Sequence, residues 1–272
     1  MGNFEITPLR PPEASRVNVV TALVLAGTRP GGDPLARHAG VSHKALIEVG
    51  GRTMIERVVG ALAAVPRIGR IVIAIERPEI LASLAGLQAP ACRPPITTTP
   101  AALGPSASVA SVLEREGTPL LVTTADHALL RPEWLQEFLD ACPPDVDIAA
   151  ALARRKNVLR AAPDTQRTYL RFAEGEFSGC NLFLLARPAA VGAVSFWQQL
   201  EAERRRPLRI MMRLGTSFAL RYRCGRLRLE DALARLAQLS GTRVGIVELA
   251  DGRAAIDVDK PADLDLVRRL VA

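Results

Sequence analysis

One stretch of this chain sets basic side chains among glycines. From Thr21 it reads TALVLAGTRPGGDPLARHAGVSHKALIEVGGRTMI, which holds Gly27, Gly31 and Gly32 together with Arg29, Arg37 and Lys44. Glycines permit tight turns and close approach of the backbone to a ligand, and the cations bring positive charge to the same loop. Together they predict a phosphate cradle, and the alternative is a basic surface loop. Asp33 is out of place in such a cradle, because it would repel phosphate unless it pairs with Arg29, Arg37 or Lys44. Further on, LLVTTADH places Asp126 just past an apolar run. Open α/β sheets bind ligands at the carboxyl ends of their strands, so Asp126 is a second candidate for the same edge.

The elements that must position these residues can be read from apolar periodicity. Thr21 to Leu25 is a short apolar run suited to a strand buried on both faces of a parallel sheet, and the loop opens at Ala26-Gly27. Ala45 to Val49 reads as extended, Gly50-Gly51 as a turn, and Met54 to Val65 as a helix stopped by Pro66. Arg70 to Ile75 gives a second buried strand, Glu79 to Leu87 a short helix, and Ile96 to Thr98 a segment able to pair at a sheet edge. A helix follows through Glu116, with Ser106 or Ser108 able to cap it, and then the strand Leu120 to Thr124. Trp134 to Ala141 is helical and Val146 to Ala153 is a strand, whereas the basic segment from Arg154 to Arg171 reads as an excursion over the surface. Cys180 to Leu185 returns to the sheet, Ala189 to Arg204 and Leu229 to Ser240 are helices, Arg243 to Leu249 is a strand, and Ala262 to Val271 closes the chain. Repeats and low-complexity linkers are absent, so the expectation is one domain over 18–272 behind a polar, Pro-containing arm over 1–17.

Composition narrows the partners. The chain has 272 residues, 49% of them hydrophobic but only 4% aromatic, which argues for an aliphatic core and against a stacking surface for single-stranded nucleic acid. A formal charge of +7 arises from 35 basic against 28 acidic residues, a modest excess that an anionic small substrate explains without nucleic acid. Cys92, Cys142, Cys180 and Cys224 lie far apart with no CxxC pair, so free thiols in a reducing cytoplasm are expected. His38 and His43 are too sparse for a zinc site, and His127 is expected beside the main site or facing solvent. No segment approaches the roughly 18 apolar residues of a transmembrane helix, and the pattern sets no oligomeric state. The arginines at 204, 205, 206, 209 and 213 could form a solvated face, a phosphate clamp or a patch for peripheral membrane contact.

The order of these motifs resembles the nucleotidyltransferase superfamily with the MobA-like or sugar-phosphate pyrophosphorylase fold. The resemblance rests on LAG, then Arg29, then VSHKALIEVGGRTMIERVV, and continues with TTADH at 123–127, SGCN at 178–181 and DVDKPADL at 257–264. It implies a single-domain three-layer α/β/α sandwich with a mostly parallel, Rossmann-like sheet of GT-A-like type. It also implies transfer of a nucleoside monophosphate from an NTP to a small phosphorylated or acidic acceptor, with release of pyrophosphate and with Mg²⁺. Displacement at an α-phosphate needs charge neutralised on attacking, leaving and non-bridging oxygens, which cationic side chains and a metal supply.

On this resemblance Leu25, Ala26, Gly27, Gly31 and Gly32 belong to the nucleotide loop, Lys44 contacts the phosphates, and Arg29 or Arg37 contacts the leaving pyrophosphate. Lys44, Arg29 and Asp126 would be the catalytic set. Asp126 would hold the metal with Asp259, or with Asp257, although each aspartate is also suited to capping a helix. Gly104, Ser106 and Ser108 resemble a loop near base and ribose, and they read equally well as a helix N-terminus. Gly179 and Asn181 resemble an acceptor-side element, or a Gly turn opening a strand. Arg167 and Arg171, near Tyr169, could join the arginine run around an acidic acceptor. Asp33 would then face the acceptor or a base. Two other readings stay open: a glycosyltransferase, since Asp257-Val258-Asp259 is formally DxD, and a non-catalytic nucleotide-binding protein, favoured by Asp33 and the altered glycine order.

Overall fold

A computed structural model describes residues 19–28, 31–87, 94–203 and 215–271. Arg29, Cys92, the N-terminal arm and the 204–213 arginine run lie outside the described residues. The chain begins with β1 (Val20–Leu25) and α1 (Pro34–His38), then β2 (Glu48–Val49), β3 (Arg52–Thr53), α2 (Met54–Ala63), β4 (Ile68–Ala74) and β5 (Ile96–Thr99). It continues through α3 (Pro105–Glu116), β6 (Leu120–Thr124), α4 (Pro132–Ala141), β7 (Ile148–Arg154), α5 (Arg155–Ala161), β8 (Leu170–Phe172) and β9 (Gly175–Leu185). The last elements are α6 (Val191–Glu203), α7 (Thr216–Arg223), α8 (Leu229–Ser240), β10 (Val244–Glu248) and α9 (Pro261–Val271).

The main sheet runs β10-β7-β9-β6-β1-β4-β5, with β8 added to β9. β1 is parallel to both β4 and β6, and β5 is parallel to β4. The strand β9 is antiparallel to both neighbours, β6 and β7. Alternation along the strands divides two aliphatic cores. Ala22 and Val24 of β1, Ile71 and Ile73 of β4 and Leu121 of β6 face one layer. Leu23, Val72, Ala74, Leu120 and Val122 face the other, where α3 and α6 contribute Val109, Val112 and Val194. Residues buried on both faces are what a central parallel strand requires, which is why these runs read as near-continuous apolar segments. The architecture is the expected three-layer α/β/α sandwich with a mostly parallel sheet.

Local signals place α2 well. Thr53 Oγ1 accepts the Glu56 N–H while Glu56 Oε2 accepts the Thr53 N–H at 3.0 Å, a reciprocal capping box. The helix then buries Met54, Ile55, Val58, Val59, Ala61 and Leu62. Other expectations need correction. Residues 79–87 form two short 3-10 turns, Pro78–Leu81 and Ala85–Leu87, instead of a helix. The run from Ala45 is likewise a 3-10 turn, Lys44–Leu46, followed by the two residues of β2.

The segment from Arg154 to Arg171 is a fixed part of the structure. It forms α5, buries Val158 and Ala162, and then continues with Thr165 buried and Arg167 half-buried. Its apolar residues are too few to show helical periodicity. What seats α5 is a glycine: a Cβ on Gly252 would lie 2.2 Å from the carbonyl carbon and oxygen of Asn157. That contact fixes the approach to residues 257–259. Gly252→Ala is therefore expected to lower the unfolding free energy by about 1–3 kcal/mol, read as a lower urea midpoint, and an unchanged midpoint would refute this packing.

Candidate active site

The carboxyl ends of β1, β4 and β6 converge on Lys44. Backbone bonds carry the sheet past its formal ends, with Ala26 N–H on Ala74 O and Ala125 N–H on Leu25 O, both at 2.9 Å. Asp126 follows immediately, and its carbonyl accepts the Val258 N–H at 3.0 Å, which draws the 257–259 segment to the same edge. Lys44 Nζ lies 2.7 Å from Asp126 Oδ2 and 2.7 Å from Asp259 Oδ1. Burial disfavours the ammonium, but Asp126 and Asp259 outweigh it and hold Lys44 above the ordinary lysine range. Asp259 is also opposed by burial, and the hydrogen bond from Lys44 holds its carboxyl below the usual range.

The structure assigns different work to each acidic residue. Among the described residues Asp126 caps no helix: α4 begins at Pro132 with Arg131 as its N-cap, and Asp126 Oδ1 is buried with no hydrogen-bond partner. The turn into α9 is closed by Asp263, whose Oδ2 accepts the N–H groups of Asp259 at 3.1 Å and Lys260 at 3.0 Å. The carboxylate of Asp259 is thereby left to Lys44. Asp257 points elsewhere, accepting from Asn181 Nδ2 at 2.6 Å and pairing with Arg167 Nη2. Burial pushes the Asp257 carboxyl up, with nearby Asp126 and Asp259 adding to it and Arg167 opposing. Asp33 is the N-cap of α1, accepting from Leu35 N–H at 2.8 Å and Ala36 N–H at 3.2 Å. It serves backbone donors, which removes the conflict with an anion cradle.

Around the loop, Gly31 and Gly32 have φ of 94° and 81°, a left-handed backbone that favours glycine. Arg37 turns back to donate from Nη1 to Gly31 O at 3.0 Å. Gly27 is in close contact, since a Cβ there would meet Ala101 at 2.9 Å. Asn181 has φ of 49° at an irregularity where β9 slips against β7 between Ala150 and Leu152. An irregularity of this kind re-aims side chains, and here the amide of Asn181 reaches Asp257. Gly179 sits nearby in β9, opposite Leu152, and is exposed.

Other expected site residues are occupied within the protein. Ser106 is buried and bonded through both N–H and Oγ to Glu201 of α6, so Glu201 and not a serine satisfies the start of α3. Ser108 Oγ accepts the Ala102 N–H at 2.9 Å and is also buried. Gly104 is the N-cap of α3 beside the same glutamate. Arg171 pairs with Glu176 and not with the Asp257 group. His127 is neither exposed nor free to reach the edge: it is buried, stacks on Trp134 with centroids 6.2 Å apart, and burial pushes it down to about 4. Two residues of the edge, His43 and Glu76, were not indicated as site residues by the motifs. The position of His43 beside Lys44 was the only signal.

A glycine loop, a lysine and strand-end carboxylates gathered on one edge of a doubly wound sheet define a nucleotidyltransferase-type domain. The chain belongs to the family of MobA-like NTP transferase domains, whose profile matches residues 22–241. A hypothetical transferase from Thermus thermophilus has 31% identity and a TM-score of 0.78, covering 90% of this chain and 99% of that one. The 4-diphosphocytidyl-2C-methyl-D-erythritol synthase of Anaerococcus prevotii shares the fold at 12% identity and TM-score 0.58, covering 93% of this chain and 98% of its own. A CMP:2-keto-3-deoxy-manno-octonic acid synthetase solved with CTP does so at 16% identity and TM-score 0.53, with 93% and 97% covered. No curated protein sequence matches the chain. Among the described residues, no helix is long and apolar enough to cross a membrane. Cys142, Cys180 and Cys224 carry free thiols.

If Asp33 acts as a helix cap, Asp33→Ala should lower the unfolding free energy by about 1 kcal/mol while Asp33→Asn stays near wild type. Urea denaturation of the two variants checks this, and equal losses would show that the charge itself is needed.

Proposed function

We propose that this protein transfers a nucleoside monophosphate from an NTP to a small phosphorylated or acidic acceptor and releases pyrophosphate. The observation that carries the reading is the ammonium of Lys44 held between Asp126 and Asp259 at the carboxyl edge of the sheet, directly after the glycine loop. In-line displacement at a phosphorus atom depends on fixed charge and positioning more than on covalent chemistry by the protein. Lys44 supplies that charge, and the left-handed backbone at Gly31 and Gly32 turns the loop beside it.

The acidic pair suits Mg²⁺. Among the described residues no three acidic, histidine or cysteine groups gather as a complete metal cage. Mg²⁺, however, is usually held by one or two carboxylates together with substrate phosphates and water. Asp126 and Asp259 both reach one cationic nitrogen, and the buried Oδ1 of Asp126 has no hydrogen-bond partner among the described residues. These two residues would hold the ion, which when bound neutralises charge on the phosphoryl oxygens. Asp257 would not, because Arg167 and Asn181 already occupy it. Its role is to anchor the segment from which Asp259 projects.

The same contacts weigh against the other two readings. A DxD pair would need Asp257 and Asp259 to face one ligand, and their partners differ. The non-catalytic reading drew on the altered glycine order and on Asp33, and of these Asp33 is engaged as a helix cap. On the acceptor side, Asn181 and Arg167, both bonded to Asp257, carry amide and guanidinium donors that suit an acceptor bearing hydroxyl and anionic groups.

Lys44→Ala and Asp126→Ala are each expected to lower pyrophosphate release at least about 100-fold while the fold, followed by circular dichroism at the assay temperature, stays intact. The assay pairs each of the four ribonucleoside triphosphates with a panel of sugar phosphates, polyol phosphates and acidic sugars, with and without Mg²⁺. Equal pyrophosphate release by the wild type and both variants would overturn the assignment.

A further inference from the structure

One buried imidazole joins three loops of the nucleotide edge. His43 is 4% exposed and stands immediately before Lys44. Its Nδ1 accepts the Ala45 N–H at 3.1 Å, so in the neutral ring the proton resides on Nε2. That nitrogen faces Thr28 Oγ1 at 2.8 Å and Glu76 Oε1 at 3.3 Å. The other oxygen of Glu76 accepts the Thr28 N–H at 3.1 Å. Thr28 is thus held through its main chain by the exit of β4 and through its side chain by the residue next to Lys44.

A cap on the Lys44–Leu46 turn would not need this arrangement. Asn or Asp supplies an acceptor for a nearby backbone N–H without burying a second polar nitrogen, and a buried polar atom is costly unless it is bonded. Glu76 is equally unexpected, because a carboxylate at the mouth of an anion-binding loop repels phosphate unless its charge is satisfied locally. Here both oxygens are engaged. Burial opposes the charge, but the backbone N–H of Thr28 and the facing His43 help to hold the carboxyl below its usual range. On its other side the Gly27-Thr28 turn abuts Ala101, where a Cβ on Gly27 would come within 2.9 Å.

We propose that His43 is a positioning residue which, with Glu76, fixes the Gly27-Thr28 turn relative to Lys44, so that loop and ammonium meet the phosphates of an NTP in one preset geometry. This inference rests on the nucleotidyl-transfer reading above. The gain is preorganisation: a loop already ordered loses less freedom when the ligand binds.

The full chain can be tested as wild type, His43→Asn, Thr28→Val and the double variant, with His43→Gln as the rescue. Asn keeps an acceptor for the Ala45 N–H but is too short to bridge Thr28 and Glu76, so it separates capping from positioning. His43→Asn is expected to melt near wild type and to weaken binding of the best-bound Mg²⁺–NTP by about tenfold in calorimetry. Thr28→Val should weaken it similarly, the double variant no more than either single change, and Gln should recover part of the loss. In turnover, KM for NTP should rise more than kcat falls. Unchanged affinity in His43→Asn, or additive losses in the double variant, overturns the inference while leaving the reaction in place. Failure of the wild type to bind any of the four NTPs overturns the reaction assignment and this inference with it.

Discussion

The structure of the candidate site depends on one ammonium group shared by two carboxylates that come from distant parts of the chain. Lys44 is separated from Asp126 by 82 positions and from Asp259 by 215. Without a cation between them, the two carboxylates would face each other across a half-buried edge and repel. With it, the end of β6, the segment before α9 and the glycine loop are tied to one point. Under the proposed nucleotidyl transfer, the contact that joins the edge together would also supply carboxylates for a divalent metal and a cation for phosphate.

The fold brings these three places together through ordinary sheet and turn chemistry. Parallel pairing of β1 with β4 and β6 aligns their carboxyl ends. The backbone bond from Val258 to Asp126 adds the final segment, and Asp263 shapes the turn beyond it. Behind that segment, α5 lies against Gly252, and Arg167 holds both the carboxylate and the carbonyl of Asp257. A basic stretch without marked periodicity therefore supports the acidic side of the site from outside the sheet.

One residue type serves several ends according to what surrounds it. Asp33 satisfies the first N–H groups of a short helix, Asp263 closes a turn, Asp257 is an anchor for Arg167 and Asn181, and Asp126 and Asp259 are left with Lys44. Each carboxylate takes the donors nearest to it, backbone N–H groups for Asp33 and Asp263 and side chains for Asp257, and Asp126 and Asp259 share Lys44. The serines at the start of α3 follow the same rule, since Glu201 claims Ser106 and the Ala102 N–H claims Ser108.

Much was legible from the residues in order. The apolar runs located β1, β4 and β6 because strands buried on both faces tolerate few polar residues. Helical spacing of Met54, Val58, Ala61, Leu62 and Val65 located α2, and the glycine loop with Lys44 located the edge. The sequence by itself therefore determined the fold class and marked Lys44 as a residue of the sheet edge, since periodicity and turn chemistry act between near neighbours. Only the tertiary structure decided which aspartates meet Lys44, that His127 is buried against Trp134, and that His43 and Glu76 grip Thr28. The Lys44 and Thr28 contacts join residues 15 to 215 positions apart, and even where the partner is nearer, as for His127 and Trp134, nothing in the local pattern of a carboxylate or an imidazole encodes which group will reach it.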